Sequence, residues 1–338
     1  MTTLKDIAKE AGVSTVTVSN VINGNYKKVS SATISKVNSL IKKYNYIPNA
    51  SARTLAMKTS KIIGVIIPNV MGYSNFLQSP YNAEVLGVIE SVIRQNDYYL
   101  MFRCVADYRD VSKTLKMWNV DGAIFLGMFA HDVVEVLKQN TLPTVFLDTY
   151  VPNLSITNIG SDDFKGGYIA TKYLLNHNHS QIAFVSPDVT TPGVMQERFN
   201  GYCKALEEKG IPLNNDFMFY SDVSYEYGVR VGKTIADKLK SITAIFATAD
   251  IIALGIIEGL RLNGYRVPDD ISIIGFDNIP TCDYSFPRLT TINQNISLKA
   301  KMAANLILKK LDPHESASSN SINVDVEIIE RQSVKYLN

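Results

Sequence analysis

Residues 3–23 of the sequence, TLKDIAKEAGVSTVTVSNVIN, contain two short helical patterns separated by a glycine. In the first pattern, apolar residues recur at Leu4, Ile7, Ala8 and Ala11, and this i, i+3, i+4, i+7 spacing places them on one helix face. Gly12 should end the helix, because glycine adopts the left-handed conformation without steric cost. Two short helices at a sharp, glycine-containing turn are typical of a helix-turn-helix motif.

The second helical pattern supplies candidate DNA contacts. Thr3 with Asp6 resembles a capping box for the first helix, and Ser14 is a suitable N-cap for the second. In a helix-turn-helix motif the second helix enters the DNA major groove. An ordinary helical hairpin in a core is the alternative that this pattern alone leaves open. The outward-facing residues of the second helix are Thr15, Val16, Ser19 and Asn20.

The next residues extend the pattern with a third amphipathic helix, predicted from Ser30 to near Tyr44, and with the segment YIPNASARTLA at 46–56. Together with the first stretch, these residues resemble the head of the LacI/GalR family of bacterial repressors. The matching segments are DIA at 6–8, AGVS at 11–14, TVS at 17–19, VIN at 21–23, YIPN at 46–49 and LA at 55–56.

The resemblance implies a DNA-binding helix-turn-helix domain at residues 1–48, followed by a hinge helix and linker at residues 49–60. In this family the hinge helix folds only on DNA, beside that of its dimer mate in the minor groove, and inserts a leucine between base pairs. Leu55 stands at that position, although it could also be an ordinary linker residue. The candidate DNA-binding residues are Thr3, Ser14, Thr15, Val16, Thr17, Ser19, Asn20, Asn23, Lys27, Lys28, Tyr46, Asn49, Ala52, Arg53 and Leu55.

Charge is distributed unevenly along the 338 residues, although the net charge is only +2. Residues 1–61 hold 10 of the 34 Lys and Arg but 2 of the 32 Asp and Glu, which gives +8, against −6 for the remainder. A basic head on a mildly acidic body is typical of a nucleic-acid-binding module joined to another domain. Lys27 and Lys28 are suited to phosphate contacts, which add affinity without base specificity.

Three cysteines, Cys104, Cys203 and Cys282, occur without CxxC spacing, so neither a disulfide framework nor a zinc site is predicted. No apolar run approaches the roughly 20 residues of a membrane span, and no hydrophobic signal segment follows the N-terminus. These observations predict a cytoplasmic protein with no membrane partner, no metal and no cofactor.

From residue 61 onward, short apolar runs alternate with amphipathic helical patterns, which favours parallel α/β sheets. We expect two sheets, with the chain crossing between them near residues 158–162 and 289–295. Helices are predicted at 82–96, 164–176, 194–209, 225–239 and 251–263. Strands are predicted at 62–68, 99–104, 120–126, 143–147, 181–186, 244–247, 271–276 and 322–329.

Body motifs also match the family: IGVIIP at 63–68, VDG at 120–122, ERFNGY at 197–202, DISIIGFDN at 270–278 and LTTI at 289–292. The fold class implied is an all-α helix-turn-helix head plus hinge helix, joined to a two-lobed α/β periplasmic-binding-protein-like body with parallel sheets. The body, residues 61–338, would bind the effector and dimerise. Its first lobe would comprise about 61–159 plus 292–322, and its second about 160–291 plus 323–338.

Ligands of open α/β sheets bind beyond the carboxyl ends of the strands. Asp148 and Asp277 each end a predicted strand, where carboxylates can accept from paired sugar hydroxyls, and Arg198 can donate a fork of hydrogen bonds. Asp148 could instead cap a helix, and Arg198 could form a structural salt bridge. Phe76 and Tyr81 could stack on a ligand or close the lobe interface.

Gln294 resembles a further family effector contact, whereas three positions depart from the family. Ala249 replaces a frequent Asn, Val223 a frequent aromatic residue, and Asn20 an Arg that is common on the recognition helix. The departures leave the effector and the operator sequence open. The candidate effector-binding residues are Phe76, Tyr81, Asp148, Arg198, Val223, Ala249, Asp277 and Gln294.

An enzyme is the main rival class, but the sequence contains no GxGxxG after the first strand, no GxxxxGK[ST] and no HExxH. The four histidines show no catalytic pairing, and His177 with His179 favours a capping or surface role. We therefore predict a repressor, not an enzyme, that binds a pseudo-palindromic operator as a homodimer and responds to a small molecule, a sugar or sugar derivative. The alternative is a soluble α/β sugar-binding protein or enzyme with a basic helical appendage.

Overall fold

The computed structural model of the chain contains two compact units, Met1–Lys61 and Ile62–Asn338, here called the head and the body. The residues described are 2–47, 59–68, 76–105, 108–128, 130–139, 141–151, 155–237, 241–314 and 321–337. The predicted hinge residues Asn49, Ala52, Arg53 and Leu55 lie outside the described residues, so their assignment stays a prediction.

The head contains helices α1 (Leu4–Ala11), α2 (Thr15–Ile22) and α3 (Ser31–Lys43). The Thr3 hydroxyl accepts from the Asp6 amide at 3.3 Å while the Asp6 carboxylate accepts from the Thr3 amide at 2.8 Å, which completes the capping box. Gly12 ends α1 at φ 70°, and the Ser14 hydroxyl caps α2. The three helices share a core of Ile7, Ala8, Ala11, Val18, Val21, Val37 and Leu40.

The body alternates strands and helices. Its strands are β1 (Ile62–Pro68), β2 (Tyr99–Val105), β3 (Gly122–Leu126), β4 (Thr144–Leu147), β5 (Asn158–Ser161), β6 (Ile182–Pro187), β7 (Met218–Ser221), β8 (Ala244–Ala247), β9 (Ser272–Asp277), β10 (Thr290–Asn293), β11 (Ser321–Val324) and β12 (Glu327–Ile329). Its helices are α4 (Pro80–Gln95), α5 (Tyr108–Trp118), α6 (Ala130–Gln139), α7 (Asp163–Asn176), α8 (Val194–Glu208), α9 (Tyr225–Ala236), α10 (Asp250–Leu262) and α11 (Ile296–Leu311).

Two sheets divide the body into two lobes. The first sheet has the order β11-β5-β4-β3-β1-β2, and its neighbouring strands all pair in parallel. The second has the order β12-β10-β9-β8-β6-β7 and is parallel except for β12, which runs antiparallel to β10. Central strands such as β3, β6 and β8 are buried along their whole length, as expected for parallel strands covered by helices on both faces.

The chain passes between the lobes after β5, after β10 and after β11. The single strand predicted at 322–329 is therefore wrong, because β11 pairs with β5 in the first sheet and β12 with β10 in the second. Asp325 and Val326 carry the chain across, which the alternation of apolar and polar residues over 322–329 does not reveal. The lobe boundaries predicted at 292 and 322 fall inside β10 and β11, so they differ from the observed crossings by a few residues.

Two histidines anchor the C-terminal segment on the second lobe. Both are buried, so the surface role considered for them is wrong, whereas His177 is indeed the C-cap of α7. The Nε2 atom of His179 lies 3.0 Å from the Lys335 carbonyl oxygen, and its Nδ1 atom lies 3.1 Å from the Thr243 hydroxyl. Because a carbonyl only accepts, Nε2 carries the hydrogen and Nδ1 accepts from Thr243.

We expect this anchor to make the body sensitive to acid. Burial lowers the pKa of His179 below its ordinary value of 6.5, so below that pH the folded state binds fewer protons than the unfolded state. The free energy of unfolding should then decrease as the pH falls through the folded pKa. Thermal unfolding at a series of pH values should show this decrease, and the non-titrating His179→Gln variant should show a shallower one. Identical slopes in the two proteins would contradict the expectation.

Candidate functional site

A cleft of about 600 Å³ lies between the lobes, at the carboxyl ends of strands from both sheets. This volume and position are typical of small-molecule sites in α/β proteins. Asp148 and Asp277, which follow β4 and end β9, approach the cleft from opposite lobes. The structure brings all eight predicted effector residues into its lining: Phe76, Tyr81, Asp148, Arg198, Val223, Ala249, Asp277 and Gln294.

Asp148 does not cap a helix, because residues 149–151 continue as irregular backbone. It has a positive φ of 49°, and its carboxylate lines the cleft while it accepts from two residues of its own lobe. One oxygen accepts from the Lys299 ammonium at 2.7 Å, and the other accepts from the Tyr81 hydroxyl. Burial and the neighbouring Asp148 carboxylate raise the pKa of Tyr81 well above its ordinary value, so Tyr81 remains a hydroxyl donor.

Arg198 forms the structural salt bridge that was one of its two alternatives and also lines the cleft, while its contact with a ligand stays a prediction. The side chain projects from the first turns of α8 and is buried. Its Nε atom donates to Asp163 at 2.8 Å and its Nη1 atom donates to the Thr248 carbonyl at 2.6 Å. The guanidinium lies 3.5 Å above the Phe276 ring, and its Nη1 atom is 3.9 Å from Asp277.

Polar contacts join the two lobes across the floor of the cleft. The Gln294 amide nitrogen donates to Asp277, while its oxygen accepts from Lys299 at 2.6 Å and from the Ser161 hydroxyl at 3.1 Å. Burial raises the pKa of the Asp277 carboxyl, against the lowering effect of Arg198. Movement of one lobe relative to the other would therefore have to break or rearrange contacts at Gln294.

Tyr150 supplies a second connection between the lobes. It lies in the segment after β4 of the first lobe, and its hydroxyl donates to Asp163, the first residue of α7 in the second lobe, at 2.6 Å. Burial raises the pKa of Tyr150, so it stays protonated and able to donate. Asp163 thus receives hydrogen bonds from Tyr150 and Arg198 together.

Three functional neighbours were missed in the sequence: Lys299, Asp163 and Tyr150. A signal for Lys299 was present, because it lies at i+3 from Ile296 and i−4 from Ala303 within the apolar stripe of α11. A charged residue in such a stripe predicts a buried ion pair. Asp163 and Tyr150 carried no comparable signal, since Asp163 follows the capping residue Asp162 and Tyr150 lies in irregular backbone.

The remaining predicted residues give the cleft its apolar walls. The Phe76 ring packs 5.4 Å from that of Phe102, so part of its surface is used within the first lobe. Val223 and Ala249 line the cleft on the side of the second lobe and have no side-chain hydrogen-bonding groups.

Among the described residues that line the cleft, four are aspartates and one, Arg198, is a cation. The charged groups of the cleft therefore offer more acceptors than donors to a ligand.

In the head, the predicted DNA-binding residues of α2 differ in their solvent exposure. Thr15 and Val16 are exposed, Val16 by 66%, whereas Ser19 and Asn20 are half-buried. Lys27 and Lys28 are exposed in a 3-10 turn at Tyr26–Lys28. The other predicted DNA-binding residues of the described head also have structural roles. Thr3 and Ser14 are N-caps, and the Thr17 hydroxyl forms a hydrogen bond with that of Ser14. Asn23 is the C-cap of α2, and Tyr46 packs on the head core.

Comparison with known proteins agrees with both units. A family model for bacterial regulatory proteins of the lacI family matches residues 3–49, and one for the periplasmic binding protein-like domain matches residues 171–334. The HTH-type transcriptional repressor PurR of Histophilus somni is 35% identical over all of both chains, and that of Mannheimia succiniciproducens is 33% identical over 99% of each. The chain belongs to the LacI family of bacterial regulatory proteins.

Solved LacI-family structures share the architecture. The Lac repressor dimer bound to operator and the anti-inducer ONPF superposes with a TM-score of 0.86 at 25% identity, covering 99% of each chain. A LacI family transcriptional regulator from Enterococcus faecium with bound ribose superposes with a TM-score of 0.71 at 27% identity, covering 82% of this chain and 100% of that chain. This LacI-family protein is a DNA-binding transcriptional repressor with a small-molecule effector.

Among the described residues, no helix is both long and apolar enough to cross a membrane. In the same part of the chain, no three His, Cys, Asp or Glu side chains are grouped so that they could hold a metal ion.

Proposed function

We propose that this cytoplasmic protein represses transcription as a homodimer on a pseudo-palindromic operator, and that a neutral sugar or sugar derivative in the cleft controls it. It regulates and does not catalyse a reaction. One observation carries the effector assignment: two carboxylates, an arginine and an amide from both lobes converge on one cleft of about 600 Å³.

The chemistry of the cleft favours hydroxyl groups. A sugar hydroxyl can donate to Asp148 or Asp277 and accept from Arg198 or the Gln294 amide. An anionic ligand is disfavoured, because the Arg198 charge is already engaged by Asp163 at 2.8 Å. The bound ribose of the Enterococcus faecium relative supports the same class of ligand.

The proposed homodimer rests on exposed apolar surface. In the body, Tyr284 and Phe286 are 82% and 94% exposed, and Tyr99 is 72% exposed on the edge strand β2. Tyr284 and Phe286 lie two residues apart, and apolar side chains that form a contiguous exposed patch commonly mark an interaction surface. A dimer would present two recognition helices, which is why we expect a two-fold symmetric operator. Sedimentation velocity should show a dimer, and a monomer on operator DNA would contradict the proposal.

Calorimetric titration with separate ligand classes tests the effector assignment. The panel should contain pentoses, hexoses, disaccharides, sugar phosphates, nucleosides and purine bases. A neutral sugar should bind, and at about 100 times its Kd it should stabilise the body by about 2.7 kcal/mol. Binding of only the bases or only the phosphates would overturn the assignment. Electrophoretic shift assays with genomic fragments, run on the full chain and on a chain without residues 1–60, separate a repressor from a sugar-binding protein or enzyme. A repressor should shift a fragment only when residues 1–60 are present.

The operator sequence is expected to depend on Asn20. We propose that Thr15, Val16 and Asn20 contact bases, with Val16 touching a thymine methyl and Asn20 pairing with adenine N6 and N7. Arginine at position 20 would instead favour guanine, with a discrimination of about 1–3 kcal/mol. Sites selected from a random library should therefore change from A to G at one position of each half-site in Asn20→Arg. Unchanged preferences would show that Asn20 does not contact a base.

A further inference from the structure

Lys299 is a charged residue on the buried face of a helix. It lies on α11, four residues after the N-cap Asn295, and its side chain is 0% exposed. Lysine is almost never fully buried unless it is paired. An apolar side chain of similar volume would avoid the cost of desolvating an ammonium. Packing alone therefore does not account for a lysine at this position.

The Lys299 ammonium has three donors, and three acceptors surround it. They are Asp148 at 2.7 Å, Gln294 at 2.6 Å and the Tyr81 hydroxyl at 3.4 Å. All three acceptor residues line the cleft. Lys299 thus lies directly behind the wall of the effector site and holds three of its polar groups.

The contact with Gln294 fixes the direction of its amide. The Lys299 ammonium can only donate, so the amide oxygen of Gln294 must be the atom that lies against it. The Ser161 hydroxyl donates to the same oxygen. The amide nitrogen is therefore turned to Asp277 of the second lobe. With an uncharged residue at 299, this preference for one of the two amide orientations would be lost.

The contact with Asp148 balances a charge. Asp148 is the carboxylate of the first lobe that faces the cleft, and Lys299 forms its ion pair. Without the ammonium, a partly buried carboxylate would be left uncompensated beside the ligand. A ligand that carries a positively charged group would then bind better than a neutral ligand.

We propose that Lys299 is a positioning residue that sets the charge preference of the effector site. By pairing with Asp148 and orienting Gln294, it adapts the cleft to an uncharged, hydroxyl-bearing effector. This inference rests on the proposed function, in which the effector is a neutral sugar.

Matched sugars and matched variants test the proposal. The probes are D-glucose, D-glucosamine and D-glucuronate, and the corresponding galactose series, measured by calorimetry on the full chain. The wild type should prefer the neutral member. Lys299→Met should shift the preference toward the amino sugar by at least about tenfold, a change of about 1.4 kcal/mol. Asp148→Asn, which leaves the ammonium unpaired, should shift it toward the uronate.

The control variant is Lys301→Met, the same substitution on an exposed position of α11. It should keep the wild-type preference. The double variant Asp148→Asn/Lys299→Met lacks both charges, so its affinity should fall but it should favour neither the amino sugar nor the uronate. Unchanged preferences in the two single variants would overturn the proposal. If Lys299→Met does not fold, the other two variants still test the proposal, because Asp148→Asn should shift the preference toward the uronate and the double variant should not.

Thermal unfolding separates this proposal from the effector assignment. Lys299→Met should lower the Tm more than Lys301→Met does, and adding Asp148→Asn should restore part of the loss, because the unpaired carboxylate is removed. If no sugar binds the wild type, the proposed effector class is wrong, while this cycle still tests the pairing. No recovery in the double variant would overturn the role of Lys299.

Discussion

The Arg198→Ala variant should lose its response to the effector while it still binds operator DNA. Arg198 is 3% exposed and holds Asp163 in an ion pair at 2.8 Å, with Asp277 3.9 Å away. Removing the guanidinium leaves buried carboxylates without their cation, which should destabilise the body by about 3–5 kcal/mol. The helix-turn-helix head has its own core and is a separate compact unit, so its fold does not require this cluster.

Fluorescence anisotropy with labelled operator, with and without effector, measures both properties, and thermal unfolding measures the stability. A coupling of about 1–3 kcal/mol between effector and operator is expected in the wild type. The matched control is Arg261→Ala, since Arg261 is an exposed arginine paired with Glu258 three residues before it. This control should keep the full response. A full response in a folded Arg198→Ala protein would remove Arg198 from the effector site.

Leu55→Ala should weaken operator binding by about a hundredfold, because the family resemblance places Leu55 where a side chain is inserted between base pairs. Such a wedge kinks the duplex and allows contacts that straight DNA does not permit. A hundredfold loss corresponds to about 2.8 kcal/mol. Affinities for operator and for random DNA, measured at the same salt concentration, give the specific part of this loss.

Non-specific affinity should survive in Leu55→Ala, because it rests on basic residues such as Lys27 and Lys28 and decreases steeply with salt. Ile47→Ala is the control, since Ile47 is an apolar residue of the same region and is 78% exposed. It should change operator binding far less. Equal losses of Leu55→Ala on operator and random DNA would identify Leu55 as an ordinary linker residue.

Some predictions that depend on short-range interactions agree with the structure in their bounds, whereas the helix predicted at 225–239 ends at Ala236 and the strand predicted at 120–126 begins at Gly122. The bounds of α1 follow from Thr3, Asp6 and Gly12, which act within one helix turn of its ends. The strand predicted at 62–68 and that at 244–247 have the observed bounds, because each is a short run without a polar or charged side chain. The strand at 322–329 was wrong, since its alternation of apolar and polar residues does not show that its two halves pair with different sheets.

The candidate site was predicted as a set of residues but not as a network. Strand ends indicated Asp148 and Asp277, and the resemblance indicated Arg198 and Gln294, and all four line the cleft. Their partners were not predicted. Asp163 and Tyr150, which complete the Arg198 cluster, lie where the sequence shows only a helix start and a loop.

The sequence by itself determined the helix-turn-helix head, the alternation of strands and helices, and the edge of the sheets where a ligand site should form. Each depends on residues that are close in the chain, through caps, periodicity or the end of a strand. Only the tertiary structure decided that Lys299 pairs with Asp148, 151 positions away, and that Gln294 joins Lys299 to Asp277. These contacts depend on strand order and on the three crossings between the lobes, which local spacing does not encode.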